Sequence, residues 1–182
     1  MFIYPISIWI PINKLKFKDA QISLKDLQKA NGNFDLIIDK VTSIKSAENK
    51  VILANGEIEY DYLVVALGSG KMKLKGLEHS FSICGQPEQS IKMRDRFNEL
   101  LAQGYGKIAF GFGGNPKSKS SVRGGPAFEL LFNFIHTLKQ KKLYDKFEIT
   151  FFAPMKEPGK KLGIKGFEML QKQFKKKVYK FL

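Results

Sequence analysis

The stretch 56-GEIEYDYLVVALGSG-70 decides how the rest of the chain is read. From Leu63 to Leu67 every residue is apolar, and the run stops at Gly68-Ser69-Gly70. An apolar run of this length, rich in Val and bounded by glycine, reads as a strand covered on both faces, as in a parallel sheet. The expected strand is 62–66. Toward the N-terminus, 49-NKVILANGEIEYDY-62 places two extended arms around Asn55-Gly56, a pair that tolerates the positive φ of a tight hairpin turn. Before it, 34-FDLIIDKVTSI-44 reads as a strand continuing into a second extended segment, and what precedes Phe34 reads as an opening loop. The result is a small antiparallel β-meander that feeds the buried strand.

Toward the C-terminus, Ile91, Phe97, Leu100 and Leu101 recur at helical intervals between Gln86 and Gln103, and Gly104 supplies the stop. A strand-loop-helix-strand unit follows. 107-KIAFGF-112 reads as a buried strand and Gly113 to Gly125 as a long Gly/Ser/Lys loop. Pro126 opens a helix reaching about Lys142, and 147-FEITFFAP-154 is the next strand. Proline suits the first helical turn, where its missing N–H is not needed. Apolar residues on nearly every side of 127-AFELLFNFI-135 mark this helix as well buried, so the unit is a βαβ crossover with parallel strands. The tail 175-KKKVYKFL-182 reads as the approach to a third strand. The fold class is α/β.

With 182 residues, 43% of them apolar and 16 of them Phe, the chain can bury a core. No apolar stretch approaches the roughly 20 residues that cross a bilayer, and 1-MFIYPISIWIPI-12 carries two prolines and no basic leader, so neither a membrane span nor a signal peptide is expected. Cys84 is the only cysteine, which excludes an intrachain disulfide or a cysteine-cluster metal site and suits a reducing, cytoplasmic compartment. The formal net charge is +14, and half of it lies in residues 156–182, where nine Lys face Glu157 and Glu168. A lysine run is usually a solvated face. Arginine is scarce and no reader motif accompanies the charge, so no nucleic-acid partner is expected. Phe167, Leu170 and Phe174 at helical spacing beside lysines fit an ordinary sheet-packed helix, and equally a helix lying at an anionic membrane surface.

Between the first strand and the helix of a βαβ unit, backbone N–H groups and the helix dipole converge where phosphates bind. Gly111, Gly113 and Gly114 begin such a loop, and Lys117, Lys119 and Arg123 lie in it. About a dozen residues intervene before the helix, which is too long for a dinucleotide fingerprint. The second strand ends in Phe151 to Pro154 with no acid before Glu157, so NADH is expected to be a poor ligand. His79 and His136 read as surface or capping residues. Cys84 sits at the mouth of a helix, where the dipole could activate it, but a buried, inert thiol is the default expectation.

59-EYDYLVVALGS-69 resembles the Y-D-x-L-V-x-A-T-G-S segment that closes the first half of the FAD domain in two-dinucleotide-binding-domain flavoproteins of the FAD-dependent pyridine nucleotide-disulfide oxidoreductase superfamily. The ordered series YDYLVVALGS, SICGQPEQS, KIAFGF, GGPAFELLF, KFEITFFAP and LGIKGFEML is most similar to sulfide:quinone oxidoreductase and flavocytochrome c sulfide dehydrogenase. Type II NADH dehydrogenase is a more distant relative. The resemblance implies an incomplete FAD/NAD(P)-binding fold. Residues 1–85 would form a partial FAD-domain segment with the meander, and 86–182 a partial NAD(P)-binding-like βαβ domain. It implies FAD as the parent's cofactor, quinone or another electron acceptor as its partner, and a peripheral position at the inner face of the membrane. The implied FAD-proximal residues are Ala66, Leu67, Gly68 and Ser69, with Val41 and Pro5 as further contacts.

Two departures qualify what is implied. The family's opening strand and G-x-G-x-x-G turn, which carry the FAD pyrophosphate, have no counterpart here, and the chain opens at a segment resembling a flavin-proximal loop. The family's redox cysteine pair would place one member near Arg123, where this chain has none, while Cys84 resembles an additional cysteine of SIC segments. The chain is therefore expected to bind FAD weakly or not at all and to be inactive alone, with no catalytic residue and no metal assigned. A non-catalytic fragment or a basic membrane-surface module is the alternative reading.

Overall fold

The structure is a computed structural model that describes residues 1–68, 76–114, 122, 124–175 and 180–181, the last two and Lys175 by backbone alone. The chain divides into two compact units: Met1 with Ile22–His79, and Phe2–Gln21 with Ser80–Leu182. Ser69 and Gly70, together with Lys117, Ser118, Lys119, Ser120, Ser121 and Arg123 of the glycine loop, lie outside the described residues.

The first unit begins with helix α1, Leu24–Asn31, where the sequence suggested a loop. Its signal is polar. The Ser23 side chain accepts from the Asp26 N–H at 3.2 Å, and Gly32 closes the helix in the left-handed conformation at φ 65°. Strands β1 (Val41–Lys45), β2 (Lys50–Leu53) and β3 (Gly56–Glu59) then form an antiparallel sheet in sequential order, which is the expected meander. Its hairpin turns one residue earlier than expected. Leu53 pairs with Gly56, so the two-residue loop is Ala54-Asn55, and the positive φ of the turn falls on Gly56 at 152°.

The strands expected at 62–66 and in the first part of 34–44 do not form. Residues 34–40 and 63–68 join no ladder among the described residues. Val64 is 85% exposed, Leu67 84% and Ile38 75%. A run with apolar side chains on both faces is a strand only when other elements cover those faces and supply the ladder. Within this unit nothing described does so, and Val51 is its one buried hydrophobic side chain among the described residues.

The second unit has a core. Helix α2, Glu88–Gln103, ends at Gly104 with φ 83°, as its sequence suggested. Strand β4, Gly106–Gly111, leads to helix α3, Gly125–Gln140, and then to strand β5, Phe147–Phe152. Strands β4 and β5 are parallel, in register from Gly106 opposite Phe147 to Gly111 opposite Phe152, and the two-residue β6, Lys180–Phe181, adds a further parallel pairing to β5. Helix α3 buries Phe128, Leu130, Leu131, Phe134, Ile135 and Leu138, so its wide apolar surface is covered as expected. Rings link the elements: Phe97 meets Phe134 at 4.0 Å between centroids, Phe134 meets Phe110 at 5.1 Å, and Phe151 stacks on Phe128 at 5.2 Å. Phe174 of helix α4, Gly163–Lys175, reaches Phe151 at 5.4 Å. The residues before α1 also join this unit, through a 3-10 turn at Tyr4–Trp9 and the buried Ile8, Ile10 and Ile12.

Among the described residues the β4–β5 sheet is covered on one face, so β4, expected as a buried strand, is only half covered. Phe147, Ile149 and Phe151 point into the core, while Lys107 and Glu148 form an ion pair at 2.9 Å on the other face and Phe152 is exposed there. Strict alternation along β5 is the mark of a half-covered strand.

Candidate functional site

In α/β sheets ligands settle beyond the carboxyl ends of the strands. That edge is formed here by Phe112, Gly113 and Gly114 after β4, Ala153 and Pro154 after β5, and the start of α3. The Phe112 N–H donates to Phe152 O at 3.4 Å, which carries the ladder one residue past β4. A Cβ placed on Gly124 would stand 2.6 Å from the Phe112 ring, so the ring fills the space directly under the helix start. Pro126 brings no N–H, and those of Ala127 and Phe128 turn back to Gly124 O at 3.1 Å each. Residues 126–128 at the start of α3 thus contribute no outward N–H that could hold a pyrophosphate. Glu157, the first carboxylate after β5, is engaged with Lys160 at 2.7 Å.

Most of the positions expected near FAD fall in the first unit. Ala66, Leu67 and Gly68 lie exposed at the end of the unpaired segment, with Gly68 left-handed at φ 74°, while Ser69 falls outside the described residues. Val41 opens β1 opposite Leu53 and is exposed. Pro5 is exposed in the 3-10 turn of the other unit, so the structure gathers Val41 and residues 66–68 in one unit and leaves Pro5 in the other. The described ones among these residues offer exposed backbone and apolar surface, and no charged side chain for a diphosphate. The N-terminus of α1 is occupied by the Ser23 hydroxyl and carries Asp26 in its first turn, which repels an anion. The described residues therefore do not fit a complete FAD site.

A residue the sequence reading passed over organises this unit. Asp39 accepts from the backbone N–H groups of Lys40 at 2.7 Å and Asn55 at 2.9 Å, and from the Asn55 side chain at 3.3 Å. An Asp before a strand and an Asn in the next turn are the local signal, since short polar side chains satisfy turn N–H groups. Across β2 and β3, Lys50 bridges Glu57 at 2.6 Å and Glu59 at 3.3 Å. The hydrogen bond from Lys50 holds the Glu57 carboxyl below its usual range, and those to Glu57 and Glu59 push the Lys50 ammonium above its own.

Cys84 corrects an expectation: its side chain is exposed, not buried. His79 is exposed beside Glu78 at 3.6 Å, and His136 is exposed on α3, as expected for surface residues. Among the described residues no group of three His, Cys, Asp or Glu is placed to hold a metal ion.

The architecture can now be set beside known proteins. No family model matches the chain. It is 31% identical over 145 residues to the sulfide-quinone reductase of Aquifex aeolicus, an alignment covering 76% of this chain. The crystal structure of sulfide:quinone oxidoreductase from the same organism superposes over 100% of the chain with a TM-score of 0.82 at 26% identity. The chain is a sulfide-quinone reductase homologue. It spans 31% of the length of the matched reductase and 42% of the chain in the crystal structure. The homologue's α/β architecture, a meander followed by a parallel βαβ unit, is that part of the flavoprotein fold, which bears out the fold expected from its sequence. No described helix is long and apolar enough to cross a membrane.

Proposed function

We propose that this chain is part of an FAD-dependent, quinone-linked oxidoreductase. What supports the reading is the continuous correspondence in sequence and fold to sulfide-quinone reductase. Residues 1–85 serve as the closing part of an FAD-binding half and 86–182 as the start of a nucleotide-binding-like half, with Ala66, Leu67, Gly68, Ser69, Val41 and Pro5 nearest the flavin dinucleotide. The whole enzyme works peripherally at the inner face of a membrane. FAD, when bound, supplies the redox chemistry, and the protein's part is to position it. The chain by itself retains little or no FAD, because its sequence has no G-x-G-x-x-G turn and the described residues offer the diphosphate no open helix N-terminus. The test is the flavin absorbance of purified protein supplied with excess FAD and then desalted: colourless protein is expected, and stoichiometric retention would refute the reading. NADH binds poorly, since the carboxylate after β5 is already paired with Lys160.

Sulfide oxidation needs an attacking and a leaving sulfur. Cys84 is the chain's single thiol. The chain therefore shows no sulfide-dependent quinone reduction even when FAD is added. Turnover that disappears in Cys84→Ser would overturn this and make that thiol catalytic.

A second reading, a basic module at an anionic membrane, draws on α4 and the turn before it. Leu162, Ile164 and Met169 are exposed there among Lys160, Lys161, Lys165 and Lys172. Co-sedimentation with vesicles containing phosphatidylserine, compared with neutral vesicles, tests whether this surface binds anionic lipid.

A further inference from the structure

Helix α4 has two faces of different character. Phe167 is half-buried and Leu170 and Phe174 are buried, at i, i+3 and i+7, and the Phe174 ring packs against Phe151 at 5.4 Å and Phe128 at 6.1 Å. This face belongs to the core. Ile164, Lys165, Glu168, Met169 and Lys172 recur at i, i+1, i+4, i+5 and i+8 on the other side, and all are exposed, Ile164 by 80% and Met169 by 69%. The turn Lys160–Leu162 is held against the same helix. A Cβ on the left-handed Gly159 would collide with the Leu170 side chain, and one on Gly166 would meet Leu162 Cβ at 3.0 Å. Leu162, 55% exposed, thus extends the outward surface beside Lys160 and Lys161.

The core closes through Leu170 and Phe174, so folding alone does not account for three large apolar side chains left in water here. Charge says what covers them. Lys165 and Lys172 stand among them and make no ion pair among the described residues, and Glu168 is the only described acid on this face. Residues 156–182 carry nine Lys against two Glu. Protein interfaces are depleted in lysine, and lysines interleaved with the apolar residues leave no continuous apolar centre for a protein partner to desolvate. A lipid surface accepts that interleaving, because lysine stems run along apolar neighbours while their ammonium groups reach anionic headgroups. We propose that the outward face of α4, with Leu162, docks on an anionic phospholipid bilayer. Leu162, Ile164 and Met169 enter the headgroup boundary, Lys165 and Lys172 meet the lipid charge, and Leu170 and Phe174 stay in the protein core, so the helix keeps its packing when bound. The inference rests on the membrane-surface reading and names the face that carries it. It does not require that flavin bind.

The test is co-sedimentation of the 182-residue chain and its variants with phosphatidylcholine vesicles made with and without phosphatidylserine. Binding to the anionic vesicles alone is expected. The double variant Ile164→Gln, Met169→Gln leaves the charge unchanged and should weaken that binding by on the order of 10-fold. Lys165→Gln with Lys172→Gln should weaken it by about 30-fold at low salt, since each lysine near an anionic surface counts for about fivefold. Glu168→Lys should strengthen it by at least about fivefold. Near-ultraviolet dichroism of each variant should match that of the parent, because none of these side chains lies in the aromatic cluster. Undiminished binding of the Ile164, Met169 variant would reduce the attraction to bulk charge and overturn the proposal. If the chain sediments with anionic vesicles and neither double variant weakens it, the membrane-surface reading stands on another surface and this assignment fails. If the chain does not sediment with them, both fail.

Discussion

The two units of this chain receive comparable apolar material and make opposite use of it. Strand β5 finds β4 beside it and α3 over it, and Phe151 is fully buried. The run 63–67 is just as apolar and ends with Val64 and Leu67 in water. The difference is one of enclosure. A parallel βαβ unit brings its own second strand and its own covering helix within one stretch of chain, whereas a strand apolar on both faces depends on elements far away in sequence or outside the chain.

Truncation at the two sites puts the largest number on this contrast. Phe151→Ala removes a ring that touches Phe128 and Phe174 and should cost about 3 to 5 kcal/mol, whereas Val64→Ala should stay within about 0.5 kcal/mol. Urea unfolding followed by near-ultraviolet dichroism, which reports the aromatic cluster, measures both. Comparable losses would show that the first unit has a core after all.

A smaller effect comes from backbone packing. A Cβ on Gly111 would collide with the carbonyl oxygen and ring of Phe152 on the paired strand, and a backbone atom cannot yield as a side-chain tip does. Gly111→Ala should therefore destabilise the β4–β5 unit by about 1 to 3 kcal/mol. Gly68→Ala makes the sharper comparison. Nothing described lies within 4 Å of its added Cβ, so the cost expected there is that of the left-handed backbone, about 1 kcal/mol, in the first unit. Residue-resolved hydrogen exchange separates the two.

The smallest effect is electrostatic. Glu57 has its pKa lowered by Lys50, so the pair's contribution is complete above the unfolded carboxyl pKa, near pH 4, and is lost as pH falls through the lower folded value. Lys50 is raised, and its share is lost on the alkaline side, as pH rises through its folded pKa. Amide exchange of β2 and β3 should accelerate in acid, and Glu57→Gln should remove most of that acid dependence while leaving β4 and β5 untouched.

What was legible in the sequence follows the same division. Gly104, Pro126 and the apolar periodicity of 127–135 specify the βαβ unit because the interactions they report are local. The run 63–67 was legible as apolar but not as unpaired, since side-chain character records the environment a segment is suited to, and its neighbours are set by the rest of the sheet. Helix α1 escaped because it buries no residue; the Ser23–Asp26 cap and Gly32 were its only marks. The exposure of Cys84 had no local signature, and the FAD-proximal positions rested on resemblance to a motif whose final Ser69 lies outside the described residues.

Asp39 gives the open segment an unexpected property. By gripping Lys40 and the Asn55 turn, it anchors one end of 34–40 to the hairpin, while the Gln28 side chain donates to Phe34 O at 3.1 Å at the other. A segment held at both ends has fewer conformations open to it than a free loop of the same length, so 34–40 keeps its apolar side chains in water at a lower entropy than an untethered chain would.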